Sequence, residues 1–170
     1  MQKTAQTLLA LTFLASTALI VSTGITEEEH GTKKSTRPIP YDPEYVKECG
    51  ACHIAYPPKL LPTASWEKLM SDLTNHFGEN AELDSAIQTR LTTYLQKSSK
   101  PSKSTKQEPL VRISEQRWFT KDHKEIKTKI AKSDKETIKL SSCNTCHPNA
   151  ARGSFEEDEI NIPGIGRWED

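Results

Sequence analysis

The sequence predicts a mainly α protein of two small helical lobes, with little or no sheet. Three observations predict it. The chain carries two C-x-x-C-H pentapeptides, Cys49-Gly50-Ala51-Cys52-His53 and Cys143-Asn144-Thr145-Cys146-His147. Stretches beside them place apolar residues at helical spacing between serine caps and a glycine stop. The chain is also poor in core-forming residues: 34% is hydrophobic, and an apolar amino-terminal run takes a disproportionate share of that.

The pentapeptides explain how so little apolar sequence can fold. In a c-type haem site the two thiols add to the haem vinyl groups and the following histidine ligates the iron. Cysteines three residues apart on a helical turn point the same way, and the next residue faces the ring centre. All four cysteines lie in these motifs. Cys49, Cys52, Cys143 and Cys146 are therefore the candidate attachment residues, and His53 and His147 the candidate proximal ligands. The competing readings fit less well. A thioredoxin-like dithiol needs a βαβ setting, which the pattern lacks. Two knuckles sharing one zinc are usually separated by about 15–20 residues, whereas 90 lie between Cys52 and Cys143. A disulfide framework has no use for the histidines. The expectation is two covalently bound haem c groups, with the lobes packed around these apolar plates and the apo chain largely unfolded.

Residues 1–24 read as a secretory signal peptide. Lys3 precedes an apolar run from Leu8 to Val21, too short for a comfortable membrane span. Ser22-Thr23-Gly24 offers small residues for cleavage, and an uncleaved anchor stays open as the alternative. No cysteine lies near this site, which argues against a lipoprotein anchor. Export to the periplasm suits haem attachment, because c-type cytochromes mature outside the cytoplasm.

Residues 25–40 are polar and proline-bearing, and read as extended. The first haem lobe is expected over 41–97. Ser65 can cap a helix SWEKLMSDLTNHF that Gly78 terminates. A second helix is expected from about Ala81 to Gln96, where Leu83, Ile87, Leu91 and Leu95 form a core stripe. Residues 98–109, rich in Lys, Ser and Pro, read as a mobile linker. The second lobe, with a carboxy-terminal tail, is expected over 110–170. There Ser114 can cap a short helix SEQRWFTKDHKE. No internal repeat relates the lobes.

The remaining axial ligands follow by elimination. Met70 is the one methionine besides Met1, and one methionine cannot serve two haems. The histidines are 30, 53, 76, 123 and 147. His30 lies in the polar tail and reads as solvated, which leaves His76 and His123, one in each lobe. On a helix of about 100° per residue, His76 shares a face with Leu69, whereas Met70 points about 120° away. Phe119 and His123 stand at i and i+4, so ring and ligand share a side. Trp118 divides evenly between haem edge and protein packing, and Asp122 and Glu125 read as solvent-exposed. Sequence proximity pairs His53 with His76 and His147 with His123; crossed pairing stays open. Bis-histidine irons are six-coordinate and low-spin, which suits one-electron transfer at modest to low potential.

Three stretches, Glu48 to Asp84, Pro109 to Ile126 and Ser141 to Pro163, resemble the periplasmic dihaem cytochrome c (DHC) family in the family's order. The resemblance implies a largely helical, two-lobed fold and bis-histidine ligation of both haems. It places ligands on Cys49, Cys52, His53, His76, His123, Cys143, Cys146 and His147. It also implies electron delivery to or from a small monohaem cytochrome, oxygen-binding in some members, or a membrane cytochrome b. The haem pairing rests on spacing and not on the resemblance.

The formal net charge is zero, so nothing points to nucleic acid. Residues 121–139 hold seven lysines against four acids, a pattern that serves either docking or ordinary solvation. The expected function is electron transfer without enzymatic activity. The alternatives are a haem enzyme (a peroxidase or small-molecule reductase) and a haem-based sensor, each needing one distal histidine to dissociate.

Overall fold

A computed structural model describes residues 40–103, 107–133 and 138–168. The expected signal peptide, His30 and all of the polar segment up to residue 39 lie outside the described residues, as do 104–106 of the expected linker, 134–137 of the lysine-rich stretch and 169–170 of the tail.

Helix α1, Pro43–Cys49, starts where the Asp42 carboxylate accepts the N–H groups of Glu44 and Tyr45 at 2.9 and 3.1 Å, with proline in the first turn. It stops at Gly50, whose N–H donates to Val46 O at 3.0 Å. A side chain on Gly50 would collide with that carbonyl.

Helix α2, Thr63–Ser71, begins two residues before the expected cap. Ser65 is buried inside its first turn and donates to Leu110 O at 2.8 Å. A hydroxyl tying together segments far apart in sequence gives no local signal that separates it from a cap. The helix also ends earlier than expected. Asp72 leaves helical geometry, a single 3₁₀ turn covers Leu73–Asn75, and the chain reverses between His76 and Glu79 through paired backbone bonds of 2.8 and 3.2 Å.

Helix α3, Ser85–Ser98, is capped by Asp84, which accepts from Ala86 and Ile87. Leu91 and Leu95 are fully buried in a core with Tyr45, Leu61, Trp66, Met70 and Leu73, and Leu83 and Ile87 pack on its edge. The polar tips within this core are satisfied: Tyr45 Oη donates to Tyr56 O at 2.6 Å and Trp66 Nε1 to Pro58 O at 2.7 Å. The segment after α3 lies along α2. Thr63 N–H donates to Lys100 O at 2.9 Å, Ala64 N–H to Ser102 Oγ at 2.7 Å, and Lys68 pairs with Glu108.

A 3₁₀ turn at Ile113–Glu115 takes Ser114, and Gln116 precedes α4, Arg117–Asp122. The single helix expected here breaks at His123 (φ −95°, ψ 7°), and α5, Lys124–Lys132, follows. Ile126 and Ile130, one turn apart on α5, pack on Ile160 and Ile162. Ile162 belongs to a two-residue antiparallel pair, β1 Asn161–Ile162 and β2 Gly166–Arg167. Trp168 closes this second core under Lys129, whose Nζ sits 4.0 Å from the indole. Among the described residues the fold is mainly α with this one short pair of strands, as the sequence predicts.

Two outcomes follow. Leu91→Ala should cost about 2–5 kcal/mol in denaturant unfolding of the holoprotein. Arg90 holds the α1 cap, reaching Asp42 at 3.0 Å and pairing with Glu44, and it lowers the Asp42 carboxyl from 3.8 to about 2. The folded pKa lies below the unfolded one, so this stabilisation is complete above pH 4 and lost as pH falls towards 2. Arg90→Ala should therefore melt earlier than the parent at neutral pH and converge with it near pH 2.

Candidate haem sites

Each C-x-x-C-H motif is displayed by a helical end. Cys49 closes α1, and Cys52 and His53 occupy the turn beyond Gly50. In the second motif a 3₁₀ turn spans Cys143–Thr145, and His147 N–H donates to Cys143 O at 2.9 Å, which places His147 one turn above Cys143. None of the four cysteines is paired in a disulfide. Burial pushes the Cys49 thiol up to about 11 and raises Cys143 and Cys146. Burial here disfavours the thiolate, the opposite of the lowered thiol pKa of redox dithiols.

The structure brings the predicted histidines together in the pairs that sequence proximity favours. The rings of His53 and His76 stand 6.1 Å apart, centroid to centroid, and those of His123 and His147 stand 6.2 Å apart. Neither pair is in contact. A metal–imidazole bond of about 2 Å, plus roughly 1.1 Å from nitrogen to ring centre, puts two rings on opposite sides of one ion at about 6.3 Å. Both gaps therefore match one ion.

The ring nitrogens point to the same arrangement. His53 Nδ1 lies 2.7 Å from Ile54 O, and His123 Nδ1 lies 3.0 Å from Phe119 O. A carbonyl only accepts, so both rings carry the proton on Nδ1 and leave Nε2 with a free lone pair. His76 Nδ1 and His147 Nδ1 are buried with no partner. Burial lowers the pKa of both rings, and the facing histidine lowers each further, with Glu159 opposing at His147. These rings favour the neutral form that binds metal.

A cavity of about 760 Å³ contains Cys49, Cys52, His53 and His76. A second, of about 540 Å³, contains Cys143, Cys146, His147 and His123. Both volumes fall in the range of small-molecule and cofactor pockets. Core residues Tyr45, Leu61, Trp66, Met70 and Leu73 wall the first. Ile113, Phe119, Leu140 and Cys143 line both, so the cavities adjoin. The donor set and the apolar walls fit one covalent haem in each. Bound there, haem supplies an iron that takes up and releases single electrons. The chain's residues anchor the ring, set the faces of the imidazoles and exclude water.

Some of the site was not legible in the sequence. Met70 lines the same cavity as His76, because the helix that would have separated them ends at Ser71. Tyr56 lies 5.0 Å from His53, Phe77 4.8 Å from His76 and Phe155 5.1 Å from His147, centroid to centroid. Each is an aromatic within eight residues of a candidate ligand, and that proximity was the available signal. Trp118 lines the second cavity and packs beside Phe119, with Lys100 Nζ 5.5 Å above it. Asp122 and Glu125 are exposed at the second cavity.

Helices that present two C-x-x-C-H motifs, each beside an apolar cavity with a second imidazole, define a c-type haem protein with two haem sites. Over residues 45–155 the chain matches the family model for dihaem cytochrome c. It belongs to that family, is a haem c cytochrome, and carries two covalently bound haem c groups. It is similar to the dihaem cytochrome c of Shewanella baltica OS155, at 40% identity over 77% of this chain and 100% of that one, with a TM-score of 0.63. It is also similar to two structures of dihaem cytochrome c from Rhodobacter sphaeroides. One is 41% identical over 67% of this chain and 96% of that one (TM-score 0.55), the other 36% identical over 70% and 100% (TM-score 0.58). No curated protein sequence matches the chain. Among the described residues, no helix is long and apolar enough to cross a membrane.

Phe119 should control the orientation of its neighbour. Its ring lies 3.8 Å from that of His123, tilted by only 12°. Phe119→Leu keeps an apolar side chain there and removes the flat surface. In EPR spectra of the oxidised holoprotein the signal of the haem beside His123 should shift by more than that of the haem beside His76.

Proposed function

We propose that this cytochrome carries single electrons through two bis-histidine, low-spin haems, without catalysing a reaction of its own. Cys49 and Cys52 anchor the first haem, with His53 and His76 as axial ligands. Cys143 and Cys146 anchor the second, with His147 and His123. The observation that carries this reading is the pair of ring separations, 6.1 and 6.2 Å. An iron with two protein nitrogens has no free position for substrate, and two imidazoles lower its potential relative to a Met/His pair. The shared wall of Ile113, Phe119, Leu140 and Cys143 supports rapid exchange between the two haems.

The partners in this reading are other redox proteins, either a small monohaem cytochrome or a membrane cytochrome b. The setting is the periplasm, with the protein soluble after signal cleavage or anchored if the signal is retained. The exposed lysines 121, 124, 127, 129 and 132 on and beside α5 suit brief, salt-sensitive docking to an acidic partner.

The test is EPR and absorption spectroscopy of the haem-loaded full chain, oxidised and reduced. Two low-spin haems per chain are expected. His76→Ala and His123→Ala should each convert one of them to high spin while the other keeps its low-spin signal. A high-spin haem in the unmodified protein, or a variant that leaves both signals intact, would overturn this ligation.

A further inference from the structure

The two distal histidines are held in different ways. His123 sits at the junction of α4 and α5, with Nδ1 bonded to Phe119 O at 3.0 Å and its ring stacked on Phe119 at 3.8 Å. Pulling it away would cost that hydrogen bond and that contact and would disturb two helix ends. His76 lacks the hydrogen bond and the helix junction, and its ring meets that of Phe77 edge-on at 4.8 Å. Its Nδ1 has no partner, and its backbone lies in the reversing turn between the 3₁₀ segment and Glu79.

The turn carries strain as well. Phe77 has φ +57°, the one non-glycine residue with positive φ among the described residues, and Gly78 follows at φ +100°. Two consecutive left-handed residues between a bonded pair make a tight turn whose first central position favours Asn, Asp or Gly. A side chain other than that of Asn or Asp costs roughly 1–2 kcal/mol there. Phe77 is 44% exposed, with its ring 4.2 Å below the Arg112 guanidinium. A swing of His76 that opened this turn would relieve the cost at Phe77, so the strain would favour the swung-out state. The cavity on this side is also the larger one, about 760 against 540 Å³, for the same cofactor.

From these observations we infer that His76 is a displaceable ligand. In the reduced protein it yields the distal position at the first haem to a small uncharged diatomic, of which carbon monoxide and nitric oxide are examples. His123 keeps the second haem closed. The step is a simple exchange: the His76 nitrogen withdraws its lone pair and the diatomic supplies one, with no net oxidation or reduction. This inference rests on the bis-histidine reading above. It makes the protein a carrier whose first haem can be blocked by a dissolved gas.

The test is stopped-flow mixing of the reduced, haem-loaded full chain with carbon monoxide, read by absorption. Half of the haem should bind, in a slow phase limited by His76 release. Phe77→Gly and Phe77→Asn relieve the strain, and should slow this phase about fivefold to thirtyfold. Phe77→Ala removes the ring but lacks the local hydrogen bonding that suits asparagine to the left-handed region, so it keeps the strain and should not slow it. In His76→Ala a fast phase of the same amplitude should replace the slow one. Equal slowing by all three Phe77 variants would assign the effect to ring packing and overturn the inference. So would a slow phase persisting beside the fast one in His76→Ala, which would place exchange at the second haem. Two low-spin haems that ignore carbon monoxide would overturn the inference while leaving the carrier reading intact. A high-spin haem before gas is added would overturn both.

Discussion

Two rings that must face each other across a gap of about 6 Å impose an unusual demand on a small chain. Neither imidazole can pack on the other, so each must be fixed from behind. The proximal rings ride on motifs whose backbone is closed by helical hydrogen bonds, Gly50 to Val46 in the first and His147 to Cys143 in the second. The distal rings come from elsewhere in the chain and need supports of their own. Much of the architecture serves this purpose: α2 and α3 carry the segment that delivers His76, and the α4–α5 junction delivers His123. The core residues form the cavity walls themselves, so these walls are completed when the cofactor is in place. A chain with 34% hydrophobic residues has little apolar surface of its own to set against its conformational entropy, and the cofactor adds to it.

The two distal supports differ physically. A helix junction holds a side chain through backbone hydrogen bonds on both sides, and at His123 the junction is reinforced by the Phe119 carbonyl and ring. A reversing turn holds a side chain only as firmly as the turn itself. At His76 the turn closes through two backbone bonds and includes a phenylalanine in a conformation that disfavours side chains. The restraints are redundant at one site and few at the other. Under the proposed ligation, such an imbalance keeps one metal position fixed and leaves the other adjustable.

How much of this could be read in advance depended on whether the cause was local. The two pentapeptides are local, and they located both haem motifs. The i, i+4 relation of Phe119 and His123 is local, and it survived even though the expected helix breaks at His123. The four-residue stripe from Leu83 to Leu95 marked the α3 core. Helix ends were less legible. Ser65 resembles a cap, but its hydroxyl is used by Leu110, far along the chain. The end of α2 at Ser71 depends on Gln88, whose side-chain amide donates to Met70 O at 2.6 Å, and on the Ala81 N–H donating to Leu73 O at 2.8 Å. Both contacts come from residues beyond the helix, and a helical projection of residues 65–77 contains neither of them.

That early end changes the role of the neighbouring residues. Had α2 continued to Phe77, Met70 and His76 would have pointed in different directions and Phe77 would have been an ordinary helical residue. Because the helix stops, Met70 becomes cavity wall, His76 reaches the gap opposite His53, and Phe77 takes on the strain of the reversal. A bulky aromatic in that position is expensive for stability alone, since asparagine or glycine would make the same turn at lower cost. Its ring, under Arg112 and edge-on to His76 at 4.8 Å, offsets part of that cost. The geometry at this corner is thus better suited to releasing a ligand than to locking one.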